Sequence, residues 1–202
     1  MIKLYGIPAS RAFRSLWAIE EVGVEYEHVP VHFVGDSKKP EYLEINPNGR
    51  IPALADGDVT LFESMAINLY LTKRYGGDLY PKTTEDEARA LQWSFWGMTE
   101  LEPHLLKLLQ HRVLLPEDQR DASEAEAGVE ALQAPLGVLD GALADRSYLL
   151  GDAFTIADLN VASVLSWAIF VGLDLTGFAR VKAWFDACLG RPAVARARNS
   201  SS

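Results

Sequence analysis

The sequence has few of the side chains that form disulfides or bind metals. Cys188 is the one cysteine among 202 residues, so an intramolecular disulfide and a cysteine-based metal site are both excluded. A chain without disulfides is typical of a reducing compartment, and we expect a cytoplasmic location. The four histidines, His28, His32, His104 and His111, form no convincing ligand cluster in the sequence, so we predict no metal cofactor.

Long apolar runs and a positive net charge are also missing. No stretch approaches the roughly 20 apolar residues that a membrane-spanning helix needs, and the N-terminus has no signal-peptide pattern. The formal net charge is −9, which repels nucleic acids and anionic membrane surfaces. We therefore expect neither a nucleic acid nor a membrane as partner.

Residues 1–78 carry alternating strand and helix patterns. A strand over 2–5 leads to a helix that Ser10 would cap and Gly23 would end, and a second strand follows over 26–33. A strand, a helix and a second strand in close succession predict a parallel crossover, and hence an α/β fold. The rest of this part is predicted to hold a helical turn at 40–44, a hairpin of strands 51–54 and 60–62, and a helix over 65–75.

Strand patterns end near Pro81, and only helical patterns follow. Pro103 and Pro135 lie inside these patterns, and we expect each to kink or interrupt its helix because proline removes a backbone hydrogen bond. Thr155 and Asp158 have the spacing of a capping box. We predict a second, all-α domain with helices over 85–110, 122–143, 155–171 and 181–189.

Four motifs occur in order along the chain. They read KLYGIPAS at 3–10, NPNGRIPAL at 46–54, FESMAI at 62–67 and LGDAFTIAD at 150–158. In this order and spacing they resemble motifs of the cytosolic glutathione S-transferases, with features of phi-class, beta-class and bacterial members, over nearly the whole chain. The resemblance implies a thioredoxin-like, glutathione-binding domain at 1–78, an all-α, electrophile-binding domain at 85–202, and a homodimer.

The resemblance also implies an enzyme of detoxification that uses glutathione as co-substrate and attacks a small hydrophobic electrophile. Ser10 lies where phi-class members keep the serine that stabilises the thiolate. Tyr5 is the alternative, because tyrosine-type members keep their donor at that position. Each residue also has a structural interpretation, Ser10 as a helix cap and Tyr5 as a packed strand residue.

Backbone and helix-terminus groups are implied for glutathione. A cis bond between Ile51 and Pro52 would present the Ile51 backbone to the cysteinyl part of glutathione, whereas the alternative is an ordinary trans proline. Glu63 and Ser64 precede a helix whose free N–H groups would bind the γ-glutamyl part. The alternative is a simple helix cap with an acidic neighbour.

Cationic side chains complete the implied glutathione site. Lys38 and Arg50 are candidates for the glycyl carboxylate, and Lys39 could replace Lys38. The alternative is a solvated basic surface. For the electrophile, the resemblance implies contacts with Ile7 in the first domain, and with Trp96, Glu100 and His104 in the second, although such a helical stripe is often core.

Two other functions stay open, because a fold does not fix a reaction. One is a glutathione-dependent isomerase, dehalogenase or lyase on the same fold. The other is a non-enzymatic interaction protein. Failure to bind glutathione would favour the second.

Overall fold

The computed structural model describes residues 1–200 in two compact units. The first unit combines Met1–Tyr80 with the segment that starts at Arg191, and the second is Pro81–Gly190. The resemblance implies an all-α domain over 85–202, whereas the structure packs the segment from Arg191 with the first unit. Ser201 and Ser202, the end of the predicted helical domain, lie outside the described residues.

The first unit is built on a mixed sheet of four strands in the order β2-β1-β3-β4. β1 runs parallel to β2, as the predicted crossover requires, and antiparallel to β3, which pairs antiparallel with β4. The elements are β1 (Ile2–Tyr5), α1 (Ala12–Val22), β2 (Tyr26–Val29), α2 (Pro40–Leu43), β3 (Ala53–Asp56), β4 (Val59–Phe62) and α3 (Ser64–Tyr75).

Several element boundaries differ from the sequence predictions, three of them near the candidate residues. β2 ends at Val29 instead of Phe33 because Pro30 follows and has no N–H to donate to a ladder. α1 begins at Ala12 with Arg11 at the N-cap, so the predicted cap Ser10 lies one residue earlier. α3 begins at Ser64, with Glu63 at the N-cap and no side-chain cap, so Ser64 is not the N-cap either.

A C-terminal helix that the sequence patterns do not predict, α10 (Pro192–Asn199), packs against α1. Two ion pairs hold this segment to α1. The Arg191 guanidinium donates to both carboxylate oxygens of Glu21, at 2.6 and 2.8 Å, and Arg196 Nε donates to Glu20 Oε2 at 2.7 Å. The helix is short and its buried residues are small, so its apolar face gives a weak periodic signal.

The second unit is helical throughout. Its elements are α4 (Thr84–Trp96), α5 (Glu102–Leu109), α6 (Ala122–Ala142), α7 (Ile156–Leu165), α8 (Trp167–Val171) and α9 (Ala179–Leu189), with π-helical segments at Gly97–Leu101 and Gln110–Leu114. Every residue of α7 is buried, so this helix forms the centre of the unit. No helix among residues 1–200 is long and apolar enough to cross a membrane.

The two internal prolines behave differently. Pro103 is the second residue of α5, which begins where the π-helical segment Gly97–Leu101 ends. The helical hydrogen-bond pattern therefore changes beside this proline, as expected for an interruption. Pro135 is buried inside α6, which continues through it without a break. Of the two expected outcomes, a kink or an interruption, the interruption is therefore not found at Pro135.

Two aspartates fix helix starts in the second unit. The predicted capping box of Thr155 and Asp158 is present at the start of α7. Asp140 of α6 caps a different helix, α9, because its Oδ1 accepts the backbone N–H groups of Arg180 and Val181 at 2.9 and 3.2 Å. α9 has no side-chain cap of its own.

We expect Asp140→Ala to lower the free energy of unfolding by about 1 kcal/mol near neutral pH, the usual cost of a lost cap. Burial opposes ionisation of Asp140, but the Val181 N–H and Arg180 outweigh it and hold the pKa of the carboxyl below its usual value. This stabilisation is present above the unfolded pKa of about 3.9 and is lost as the pH falls through the lower folded pKa. Denaturant unfolding should therefore show a difference from wild type that shrinks in acid. Asp145→Ala, at an exposed position, is the control, and an equal loss in both variants would contradict the capping role.

Candidate active site

One end of the sheet gathers the loops that carry most of the candidate residues. Tyr5, the last residue of β1, pairs with Ala53, the first of β3, and Ala53 pairs with Phe62, the last of β4. The loop after β1, the segment before β3 and the start of α3 therefore meet at this end. Together they bring the segments of Ser10, Ile51–Pro52 and Glu63–Ser64 side by side.

The loop after β1 holds the hydroxyl of Ser10. Ser10 Oγ accepts the backbone N–H of Ala12 at 3.0 Å and donates to the carbonyl oxygen of Ile7 at 2.7 Å. The loop starts at Gly6, whose φ is +136° and whose added Cβ would lie 2.4 Å from the Ala12 Cβ. Only glycine fits there, since any side chain would push the loop away from the start of α1.

Tyr5 lies on the same face as Ile51 and packs onto a buried cluster of Ile7, Val31, Tyr42, Ile51 and Ala53. Its ring meets the Tyr42 ring edge-on, with centroids 6.1 Å apart. This contact agrees with the structural interpretation of Tyr5. Ile7 is itself 8% exposed, so its side chain belongs mainly to the cluster.

The peptide bond between Ile51 and Pro52 is cis, as the resemblance implied. Two hydrogen bonds anchor the peptide bond before it, between Arg50 and Ile51. The hydroxyl of Tyr42 and Nδ2 of Asn46 each donate to the Arg50 carbonyl oxygen at 2.7 Å. Burial raises the pKa of Tyr42 to about 12, so its hydroxyl keeps the proton that it donates. Within residues 1–200, the backbone N–H and C=O of Ile51 form no hydrogen bond.

Tyr42 and Asn46 were not among the predicted site residues. Both are almost fully buried, and both donate to the Arg50 carbonyl, while Asn46 Oδ1 also accepts the Asn48 N–H at 3.0 Å. Asn46 lies inside the NPNGRIPAL motif, so its position was a usable signal. Nothing in the sequence pairs Tyr42 with this peptide.

The cations near this corner have different partners. Lys38 Nζ donates to the carbonyl oxygen of Gly49 at 2.6 Å, which places its charge beside the turn before Ile51. Lys39 instead forms an ion pair with Asp36 at 2.7 Å. Arg50 is exposed, and its guanidinium pairs with no carboxylate among residues 1–200. The structure thus leaves the charges of Lys38 and Arg50 uncompensated by carboxylates.

The start of α3 is the second unusual feature. Glu63 has φ 72° and ψ 114°, the one positive φ outside glycine among the described residues. Such backbone strain is concentrated at functional sites. Glu63 is exposed and Ser64 is 4% exposed, and the first N–H groups of α3 lack a side-chain cap. Free N–H groups at a helix N-terminus attract a carboxylate.

The residues predicted for the electrophile have unequal exposure in the second unit. Trp96 and His104 are half-buried and Glu100 is exposed, while Trp93 is buried with its ring 5.0 Å from that of Trp96. Trp93 is therefore core, and the other three stay candidates. Among residues 1–200, no group of three or more His, Cys, Asp or Glu side chains is arranged to hold a metal ion.

The chain is similar to known families, proteins and structures. Two family models match it, "Glutathione S-transferase, N-terminal domain" at residues 1–73 and "Glutathione S-transferase, C-terminal domain" at residues 101–192. Glutathione S-transferase 3 of Zea mays is 39% identical over 209 aligned positions, which cover 95% of this chain and 90% of that protein.

Solved structures agree with this match. Glutathione S-transferase-I bound with lactoylglutathione superposes with a TM-score of 0.90 at 32% identity, over 99% of each chain. A theta class glutathione S-transferase from Xanthomonas axonopodis pv. citri, with glutathione bound, gives 0.91 at 30% identity, over 99% of this chain and 98% of that one. The similarity extends over almost the whole chain.

Proposed function

The chain belongs to the glutathione S-transferase family, and from that membership we propose that it joins the sulfur of glutathione to a small hydrophobic electrophile, with Ser10 stabilising the thiolate. The observation that carries this proposal is the meeting, at one end of the sheet, of the Ser10 hydroxyl, the open Ile51 backbone and the uncapped start of α3. We also propose that the protein acts in the cytoplasm as a homodimer.

Each part of glutathione has a matching group in the first unit. The N–H and C=O of Ile51 pair with the cysteinyl backbone as an added strand would. The γ-glutamyl carboxylate binds the free N–H groups at the start of α3, and the Glu63 carboxylate faces the γ-glutamyl ammonium. Lys38 and Arg50 bind the glycyl carboxylate, because neither cation is neutralised by a carboxylate within residues 1–200.

The chemistry requires that the thiol lose its proton. A free cysteine thiol has a pKa of about 8.5, so the reactive thiolate is the minor form near neutral pH. A hydroxyl donor favours the anion and lowers this pKa. The Ser10 proton points to the Ile7 carbonyl in this structure, so the hydroxyl rotates to donate to the sulfur.

The thiolate then attacks an electrophilic carbon. A carbon–sulfur bond forms, and in a substitution the leaving group departs with its bonding electron pair. In an addition, the neighbouring atom takes up a proton instead. We propose that Trp96, Glu100 and His104 of the second unit contact the electrophile. An isomerase or lyase would use the same thiolate but release glutathione again.

The first experiment is a calorimetric titration with glutathione and with its glycyl ethyl ester. We expect wild type to bind glutathione more tightly than the ester, because the ester lacks the glycyl carboxylate. Lys38→Ala should weaken glutathione binding about tenfold and leave ester binding nearly unchanged, since a charge-assisted pair contributes about 1.5 to 3 kcal/mol.

Lys39→Ala is the matched control, since Lys39 is paired with Asp36. It should bind glutathione within about twofold of wild type. Equal losses in Lys38→Ala and Lys39→Ala would contradict the assignment of Lys38. If wild type does not bind glutathione at all, the enzymatic proposal fails and an interaction protein remains.

A further inference from the structure

A histidine on β2 reaches the loop that carries Ser10. His28 pairs with Leu4 in the register of β1 and β2, and its ring extends beyond that pair to Gly6. Its Nε2 lies 2.7 Å from the Gly6 carbonyl oxygen. Because a carbonyl only accepts, Nε2 carries the proton and donates it. The N–H of Gly6 donates to the Val29 carbonyl at 3.0 Å, so β2 holds Gly6 through both its N–H and its C=O.

The remaining contacts lead from Gly6 to Ser10. Gly6 precedes Ile7, and the Ile7 carbonyl accepts the Ser10 hydroxyl at 2.7 Å. We propose that His28 is a positioning residue for Ser10: its bond to Gly6 fixes the Gly6–Ile7 segment, and that segment sets where the Ser10 hydroxyl lies. This inference rests on the proposed function, because it concerns the thiolate that Ser10 would stabilise.

The other nitrogen of the His28 ring does not stabilise this position. Its Nδ1 is buried and has no hydrogen-bond partner among residues 1–200. An unsatisfied buried nitrogen costs free energy, and a β-branched residue would suit the strand better. The bond to Gly6 is the polar contact that compensates for this cost.

The proposal predicts a separation of turnover from binding. The peptide before Ile51 is held by Tyr42 and Asn46, and Lys38 and the start of α3 lie outside the loop. Loss of the His28 bond should therefore leave glutathione affinity nearly unchanged. The loop that carries Ser10, however, would become more mobile, so the Ser10 hydroxyl would be placed less accurately. Small misplacements of catalytic groups have large effects on rate. The pKa of the bound thiol should therefore rise and kcat should fall.

Two substitutions of His28 by amide side chains of different length test this proposal. The Nε2 of Gln occupies nearly the place of the histidine Nε2, whereas the amide of Asn ends short of Gly6. We expect His28→Asn to lower kcat about tenfold and to raise the pKa of bound glutathione, with its Kd within about twofold of wild type. His28→Gln should retain most of the turnover and the wild-type thiol pKa. Thiolate absorbance, calorimetry and initial rates measure these quantities.

Glu27→Gln, at the neighbouring exposed position of β2, is the control and should match wild type in all three measurements. Thermal unfolding of the two amide variants separates positioning from folding, because both replace the same ring. The inference is overturned if His28→Asn keeps the wild-type kcat and thiol pKa, or if His28→Gln loses as much as His28→Asn. If wild type fails to bind glutathione, the proposed function fails first and this inference fails with it.

Discussion

Ser10→Ala is expected to lower kcat for conjugation of glutathione to chlorodinitrobenzene about a hundredfold. This is the usual effect of removing one hydrogen-bond donor that stabilises a reacting anion. The reason is the loss of the only side-chain hydroxyl in the loop from Gly6 to Arg11, next to the open Ile51 backbone. Glutathione should still bind, since Ile51 and Lys38 are unchanged. The pKa of the bound thiol should rise toward that of free glutathione.

The same substitution has a structural cost that must be separated from catalysis. Ser10 Oγ also accepts the Ala12 N–H, so Ser10→Ala should lower the free energy of unfolding by about 1 kcal/mol. Ser10→Thr keeps the hydroxyl and is the matched control for both effects. Tyr5→Phe tests the rival donor. If Tyr5→Phe abolishes turnover while Ser10→Ala retains it, Ser10 only stabilises the loop before α1 and Tyr5 stabilises the thiolate.

The fold could largely be predicted because its signals are local. The parallel pair β1 and β2, the hairpin of β3 and β4, and the long helices of the second unit follow from periodicity and turn residues. α10 could not, because its place is fixed by ion pairs to Glu20 and Glu21, more than 100 positions away in sequence. The same limit explains Asp140, which caps a helix that begins in a later part of the chain.

The candidate site could be predicted only where a motif marks it. Ser10, Ile51–Pro52 and Glu63–Ser64 lie in segments that resemble a family, and the sheet register brings those segments together. The strained backbone of Glu63 has no sequence signal, because glutamate is not a residue that favours positive φ. Tyr42 and His28 act through carbonyl oxygens of residues 8 and 22 positions away, and hydrophobic periodicity carries no signal for such hydrogen bonds.

The motif that ends at Asp158 has a role in folding. Asp158 is fully buried, and its two oxygens accept four hydrogen bonds. Oδ1 accepts the Leu149 N–H at 2.8 Å and the Trp184 indole N–H at 2.9 Å, and Oδ2 accepts the N–H and hydroxyl of Thr155 at 3.0 and 3.1 Å. Burial raises the pKa of the carboxyl, and these donors oppose that rise. The Asp158 side chain thus links the start of α7 to Trp184 of α9 and to Leu149 in the loop before α7.

Asp158→Ala is expected to lower the free energy of unfolding by about 3 to 5 kcal/mol, because it leaves buried N–H groups of three residues without an acceptor. Asp158→Asn keeps one carbonyl oxygen and should lose about half as much, and Trp184→Phe, which removes a single donor, should lose the least. Denaturant unfolding measures all three. All four hydrogen bonds of Asp158 are formed within the second unit. The variant that still folds, Asp158→Asn, should therefore bind glutathione as wild type does. A drop in glutathione affinity at unchanged stability would contradict the folding role and would make Asp158 part of the site.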